Sequence, residues 1–185
     1  MQNKIQWQLA LNFGAYYGLS AFAVFILMQA TGSNPFGFLL IFLSGLLMIV
    51  WLSMVIKTLR DKHLGGFISY KDAFLTSLLT LLLASALYGI LLYIDGIVIY
   101  PNLLDEYKIF MQSQTEQLTT MKAFESLAEQ MEEEIDKTTL SQFAMSEFTS
   151  KSFWGTILCL ILSAIFKRNK TESFLVDNEQ QNNPF

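Results

Sequence analysis

The chain contains few of the residues from which most active sites are built. Its 185 residues include one cysteine, one histidine and three prolines, and only 15% of them are charged, against about 25% in an ordinary soluble domain. Cys159 stands alone within an apolar run, which excludes a disulfide framework within the chain and a cysteine zinc site. The single histidine, His63, excludes the metal motifs that need a histidine pair.

One arrangement for nucleophilic catalysis remains, a triad of His63 with Ser69 and either Asp61 or Asp72. Such a triad needs nucleophile, base and orienting group within reach of one another in a pocket. These residues lie on a short connection, and the sequence has no G-x-S-x-G motif. We therefore predict that the protein is not an enzyme, that it has no cofactor or metal ion, and that His63 is a polar interface residue.

Long uncharged apolar runs dominate the rest of the chain. A helix needs about 20 mostly apolar residues to cross the hydrocarbon core of a bilayer. Three runs reach that length and a fourth is short: 9–28, 36–56, 73–94 and 152–166. Because a chain of this size cannot bury three such helices in a soluble core, we predict an all-α integral membrane protein. Its membrane domain covers 1–170, with four spans at about 9–29, 36–56, 72–95 and 146–167.

The basic residues predict the orientation of the spans, because lysine and arginine are enriched in cytoplasmic connections. The connection 57–72 carries four of them, residues 167–170 carry three, and Lys4 lies near the N-terminus. The connection 96–151 is much longer but carries only four. Placing both termini inside puts eight basic residues inside and four outside, so that 96–151 faces outward.

The segment 101–138 is predicted to form an amphipathic helical excursion outside the membrane. Apolar residues recur there at helical spacing, and they form a candidate partner interface: Tyr107, Met111, Leu118, Met121, Phe124, Leu127, Met131 and Ile135. The excursion is either one long helix or a hairpin broken near 115–120. Its apolar stripe has to be buried against the membrane surface, the other half of a hairpin, a second copy or another protein.

The opposite face of this excursion is acidic. Between Asp105 and Asp136 there are nine acidic residues and two lysines. Their spacing is not that of an EF-hand calcium loop, and the segment contains no glycine. We interpret the acidic residues as a solvated face.

Two capping boxes predict where helices begin. Ser69 can cap the third span, with Asp72 three residues later, and Thr139 with Gln142 predicts a second helix start. The fourth span would then be the membrane half of a helix over about 140–167.

Ionisable residues within a membrane are functional candidates by default. Asp95, in the stretch LLYIDGIVIY, is predicted at the outer headgroup level, and Gly96 is interpreted as the helix stop. Glu147 and Lys151 are predicted at the water interface. Gly14 and Gly18 form a small-residue stripe that allows close helix packing, within the chain or between two chains.

The stretch GGFISYKDAF at 65–74 has two interpretations. Glycine-rich turns before a helix can bind anions, and the nearby Arg60, Lys62 and Lys71 are candidates for contact with lipid headgroups. The stretch lacks G-x-x-x-x-G-K-[ST]. We interpret it as the entry to a membrane helix.

The stretches GGFISYKDAF, YPNLLDEYKIFM and LILSAIFKRNK, in this order, are similar to those of a bacterial membrane family catalogued as domain of unknown function 4199. The resemblance covers roughly 9–170. It implies a four-helix topology in the inner membrane of a Gram-negative cell, and it implies no activity or catalytic residue. The tail at 171–185 departs from the family pattern and is predicted to be a disordered cytoplasmic segment.

Three functions are compatible with these features. The leading hypothesis is a non-enzymatic scaffold or accessory subunit that acts through its periplasmic amphipathic helices. The alternatives are a small oligomeric transporter or channel, and an accessory subunit of a membrane enzyme that handles lipid-linked substrates. The predicted partners are membrane lipid and either a second copy or another membrane or periplasmic protein, with no nucleic acid.

Overall fold

A computed structural model of the protein describes residues 2–119 and 125–168, without the side chains of 2, 117–119 and 125–129. The described residues form helices and no β-strand. The α-helices are α1 (Gln2–Ala30), α2 (Phe38–Thr58), α3 (Tyr70–Ile94), α4 (Leu103–Thr119), α5 (Glu125–Lys137) and α6 (Leu140–Phe166). Short π-helical turns extend α2 through Leu59–His63 and α3 through Asp95–Ile99.

Four of the described helices are long and apolar enough to cross a membrane: Asn3–Ala30, Phe38–His63, Tyr70–Ile99 and Leu140–Phe166. The prediction of an all-α chain with four such helices is confirmed. The helices are longer than the predicted spans because their polar end turns continue the helical backbone. The predicted tail at 171–185 lies outside the described residues.

The pair of α1 and α3 forms the centre of the bundle. The two helices run parallel with a constant offset of 66 residues, since Gln6 donates to Asp72 at 3.1 Å and Gln29 donates to Asp95 at 3.2 Å. Between these two hydrogen bonds, Gly14 and Gly18 lie directly against α3. A Cβ atom on Gly18 would approach the carbonyl oxygen of Ala84 to 2.9 Å. The glycine stripe is therefore used for packing within the chain.

Helix α6 packs antiparallel on the opposite side of α3. Here both helices contribute a glycine. A Cβ atom on Gly155 would collide with the Leu81 side chain, and one on Gly89 would lie 3.2 Å from the carbonyl oxygen of Ala144. The capping box of Thr139 with Gln142 is present, so α6 begins at Leu140 as predicted. Helix α2 packs on α1, where the Trp51 indole donates to Ser20 at 2.9 Å.

Gly96 does not end the third long helix, and this part of the prediction is wrong. The backbone continues through the π-helical turn Asp95–Ile99 and leaves it at Tyr100. A Cβ atom on Gly96 would lie 2.6 Å from the side chain of Leu140. The glycine thus leaves room for the Leu140 side chain at the first turn of α6.

The stretch GGFISYKDAF enters α3 through a sharp turn. Gly65 and Gly66 have positive φ angles of 65° and 89°, which glycine adopts without strain. The Ser69 hydroxyl accepts a hydrogen bond from the backbone N–H of Asp72, which confirms the predicted helix cap. Ile68 and Arg168 exchange two backbone hydrogen bonds of 3.1 and 3.0 Å, and these bonds join the connection to the end of α6.

Between α3 and α6 the chain forms two helices. Among the described residues, α4 ends at Thr119 and α5 begins at Glu125. Of the two predicted alternatives, the structure has two helices and not one long helix. The Lys108 ammonium donates to the backbone carbonyl of Asp136 at 2.7 Å, and the Gln112 amide donates to the Asp136 carboxylate at 3.1 Å. α4 and α5 therefore pack side by side as a hairpin.

The contact between α1 and α3 predicts that Gly18→Ala destabilises the protein. The added methyl group meets backbone, which cannot rotate away, and such overpacking costs about 1–3 kcal/mol. The matched control is Gly45→Ala in α2, where an added Cβ atom meets nothing within 4 Å. Thermal unfolding followed by circular dichroism in mild detergent should show a lower Tm for the first variant only, and equal Tm values would contradict the packing.

Candidate functional site

A long cavity separates α2 and α6 in the half of the bundle nearest to the α4–α5 hairpin. Its volume is about 640 Å³. Helices α2 and α6 form the side walls, while Phe25 of α1 and Tyr88 of α3 form the back. Tyr107, Phe110 and Met111 of α4 close it at the end near the hairpin. We call this cavity the α2–α6 groove.

The groove opens on the outer surface of the bundle. Its rim residues Ile41 and Trp154 are each 66% exposed. At the opposite end of the bundle the two walls come close, because the Lys57 ammonium lies 5.3 Å from the centre of the Phe166 ring. The two helices are thus close at one end and separated at the other.

Aromatic packing fixes the closed end of the groove. The ring of Tyr107 lies 4.5 Å from that of Phe143 and 5.5 Å from that of Phe36, centre to centre. Such contacts stabilise by about 0.5–1.5 kcal/mol per pair beyond the area they bury. Burial raises the pKa of Tyr107, the nearby charge of Glu147 raises it further, and a hydrogen bond with Ser146 opposes this shift.

One ion pair lies on the wall of the groove formed by α6. The Lys151 ammonium is 2.9 Å from a carboxylate oxygen of Glu147, and the two side chains are 14% and 30% exposed. The same ammonium lies 4.3 Å from the centre of the Tyr88 ring. Because removal from water is costly for each charge, the pair and the aromatic face together make this position tolerable for a lysine.

A second polar cluster lies where α1 and α3 end. Asp95 is fully buried, and while Gln29 donates to its Oδ2 atom, its Oδ1 atom has no hydrogen-bond partner among the described residues. Gln29 also lines a cavity of about 390 Å³ together with Tyr100 and Glu106. The Tyr100 hydroxyl donates to Glu106, and this hydrogen bond raises the pKa of Tyr100.

The residues predicted to contact headgroups lie at the other end of the bundle. Arg60 pairs with Asp61 at 2.7 Å, whereas Lys62 and Lys71 are exposed. None of the three lines the α2–α6 groove. The Ser69 hydroxyl donates to the Asp72 carboxylate at 2.7 Å, as suits a helix cap.

The described part of the predicted partner stripe packs within the chain. Tyr107 and Met111 line the groove, Ile135 is buried and Met131 is half-buried. The side chains of Leu118 and Leu127, and the whole of Met121 and Phe124, lie outside the described residues.

Sequence reasoning named both charged residues of the groove lining, Glu147 and Lys151, as interface residues, but it missed the groove. Glu147 and Lys151 are spaced four apart, which is the spacing of a helical ion pair, but only the fold shows that the pair lies beside Tyr88 and under α4. Asp95 was singled out, but its burial was not foreseen. Among the described residues, no three histidine, cysteine, aspartate or glutamate side chains are grouped as a metal site requires.

The comparisons with known proteins give one match. A family model described as "Protein of unknown function (DUF4199)" matches residues 12–168. No curated protein and no solved structure matches the chain.

The hydrogen bond between Gln29 and Asp95 predicts that Gln29→Leu destabilises the protein more than Asp95→Asn does. The first change leaves a buried carboxylate without its partner, at a cost of about 1–3 kcal/mol or more, whereas asparagine retains an acceptor and carries no charge. Gln8→Leu, the same change at an exposed position of α1, is the control. Thermal unfolding in detergent measures all three, and the reverse order of the first two variants would contradict the role of Gln29.

Proposed function

We propose that this chain, which belongs to the DUF4199 family of proteins of unknown function, holds a lipid or lipid-linked molecule in the α2–α6 groove. Its membership of the family confirms the resemblance found in the sequence. The observation that carries this proposal is an apolar groove that opens sideways and contains a single ion pair. In this proposal the protein is not an enzyme, and an accessory subunit that presents lipid-linked substrates is one use of such a groove.

The proposal includes insertion of the four long helices in the bacterial inner membrane. Both termini lie in the cytoplasm, where the basic residues of 57–72 and 167–170 are concentrated. The α4–α5 hairpin then lies on the periplasmic side, above the groove. Arg60, Lys62 and Lys71 face the headgroups of the inner leaflet.

The depth of the ion pair follows from the length of α6. Lys151 and Glu147 are 15 and 19 residues from Phe166, which corresponds to about 22 and 28 Å along the helix. With Phe166 at the inner boundary of a hydrocarbon core about 30 Å thick, the backbone of Glu147 lies about 2 Å and that of Lys151 about 8 Å inside the outer boundary. The Lys151 side chain reaches back to Glu147 and so carries its ammonium towards the outer boundary. This is the depth at which the acyl chains of the outer leaflet meet their headgroups.

The size and lining of the groove suit such an occupant. Ligand sites commonly have volumes of about 300–1,000 Å³, with mainly apolar walls and a few polar groups that orient the ligand. The groove has about 640 Å³, and its polar groups are concentrated on one wall, at Ser146, Glu147, Ser150 and Lys151. An amphiphilic molecule can therefore bind with its chain along α2 and its polar group against α6.

Filling the groove should expel the bound molecule. Gly45 lines the groove and has open space around its Cβ position, so Gly45→Phe places a ring where the lipid chain would lie. The matched control is Leu46→Phe, on the neighbouring exposed residue outside the groove lining. After extensive detergent exchange, mass spectrometry of retained lipid should show about one molecule per chain for the wild type and the control, and much less for Gly45→Phe. Equal retention by all three would refute the groove as the binding site.

The predicted scaffold function is the second candidate. It is supported by Ile109 of α4, which is 66% exposed on the hairpin, and by the acidic residues around it. Ile109→Glu in the full chain should abolish association with a membrane or periplasmic partner, or with a second copy, while lipid retention stays unchanged. An oligomeric transporter or channel stays a prediction from the sequence.

A further inference from the structure

The charges of the α2–α6 groove indicate which headgroup it accepts. We infer that the groove selects a zwitterionic phospholipid headgroup, with the phosphate at Lys151 and the ammonium at Glu147. This inference rests on the proposed function and adds the chemical class of the ligand to it.

The first argument is charge balance. Among the described residues that line the groove, one is acidic and one is basic, so the site is neutral as it stands. An anionic headgroup would bring a net negative charge into a site where each charge has already lost most of its contact with water, and uncompensated charge there is costly. A zwitterion adds no net charge, because each of its groups meets a protein group of the opposite sign.

The second argument is the order of the two charges along α6. Lys151 lies one turn further from Leu140, the first residue of α6, than Glu147 does. In the proposed orientation Lys151 is therefore the deeper of the two. In a zwitterionic phospholipid the phosphate also lies on the side of the acyl chains, and the ammonium lies nearer to water. The order of Glu147 and Lys151 along α6 thus matches the order of the two charged groups in the ligand.

The third argument is the free hydrogen-bonding capacity of the pair. A lysine ammonium has three N–H donors and a carboxylate has two acceptor oxygens. The 2.9 Å contact joins Lys151 to the Oε2 atom of Glu147, and the Tyr88 ring covers one side of the ammonium. A donor on Lys151 remains for a phosphate oxygen, and the Oε1 atom of Glu147 remains for an ammonium N–H. The headgroup can therefore bind without breaking the ion pair.

The experiment compares four lipids with identical acyl chains on the full-length protein. Delipidated protein in mild detergent is titrated with phosphatidylethanolamine, phosphatidylcholine, phosphatidylglycerol and diacylglycerol, and bound lipid is measured by native mass spectrometry. We expect phosphatidylethanolamine to bind about tenfold more tightly than phosphatidylglycerol, which is the change that one charge-assisted hydrogen bond supplies. Phosphatidylcholine, which cannot donate from its quaternary ammonium, should bind between them.

Two variants test the assignment of each charge. Glu147→Gln leaves a net positive groove and should reverse the preference towards phosphatidylglycerol. Lys151→Gln should lower the affinity for all three phospholipids relative to diacylglycerol. The wild-type comparison needs no variant, so a misfolded variant leaves the inference testable.

The outcomes separate the inference from the proposed function. Wild-type protein that binds all four lipids equally, or prefers phosphatidylglycerol, overturns the inference, while loss of that binding in Gly45→Phe still supports the groove. Wild-type protein that retains none of the four lipids overturns both.

Discussion

The close approach of α1 and α3 is the contact on which the rest of the bundle depends. Gly14 and Gly18 bring the two backbones together, and hydrogen bonds from Gln6 and Gln29 fix the same register at both ends. Helix α6 packs antiparallel on another face of α3. Helix α2 connects the two parallel helices along the chain, packs mainly on α1 and also contacts α3 and α6.

The groove follows from that arrangement. α6 is held to α3 by close contacts at Gly96, Gly89 and Gly155, so it cannot move towards α2 along its outer half. α2 is held to α1 by Trp51, and its Lys57 meets Phe166 of α6 at the end of the bundle away from the hairpin. The space between them is therefore bounded by two well-packed pairs of helices, and α4 covers its end with Tyr107. The one charged pair in the described lining of that space lies against the Tyr88 ring of α3.

Local signals in the sequence were reliable and distant ones were not. The helix starts at Ser69 and Thr139 and the four apolar helices could be predicted, because capping and hydropathy depend on neighbouring residues. The burial of Asp95 depends on Gln29, which is 66 residues away, and the role of Gly96 depends on Leu140. No local pattern contains that information. The groove could not be predicted for the same reason, since it exists only where α2, α4 and α6 meet.

The bridge between Ile68 and Arg168 has a mechanical consequence. Its two backbone hydrogen bonds join Arg168, the last described residue, to the turn that begins α3. Helix α3 packs against both α1 and α6. The chain beyond residue 168 therefore begins at a residue that is fixed to the start of α3. Tension applied to that segment would be transmitted directly to α3 as well as to α6.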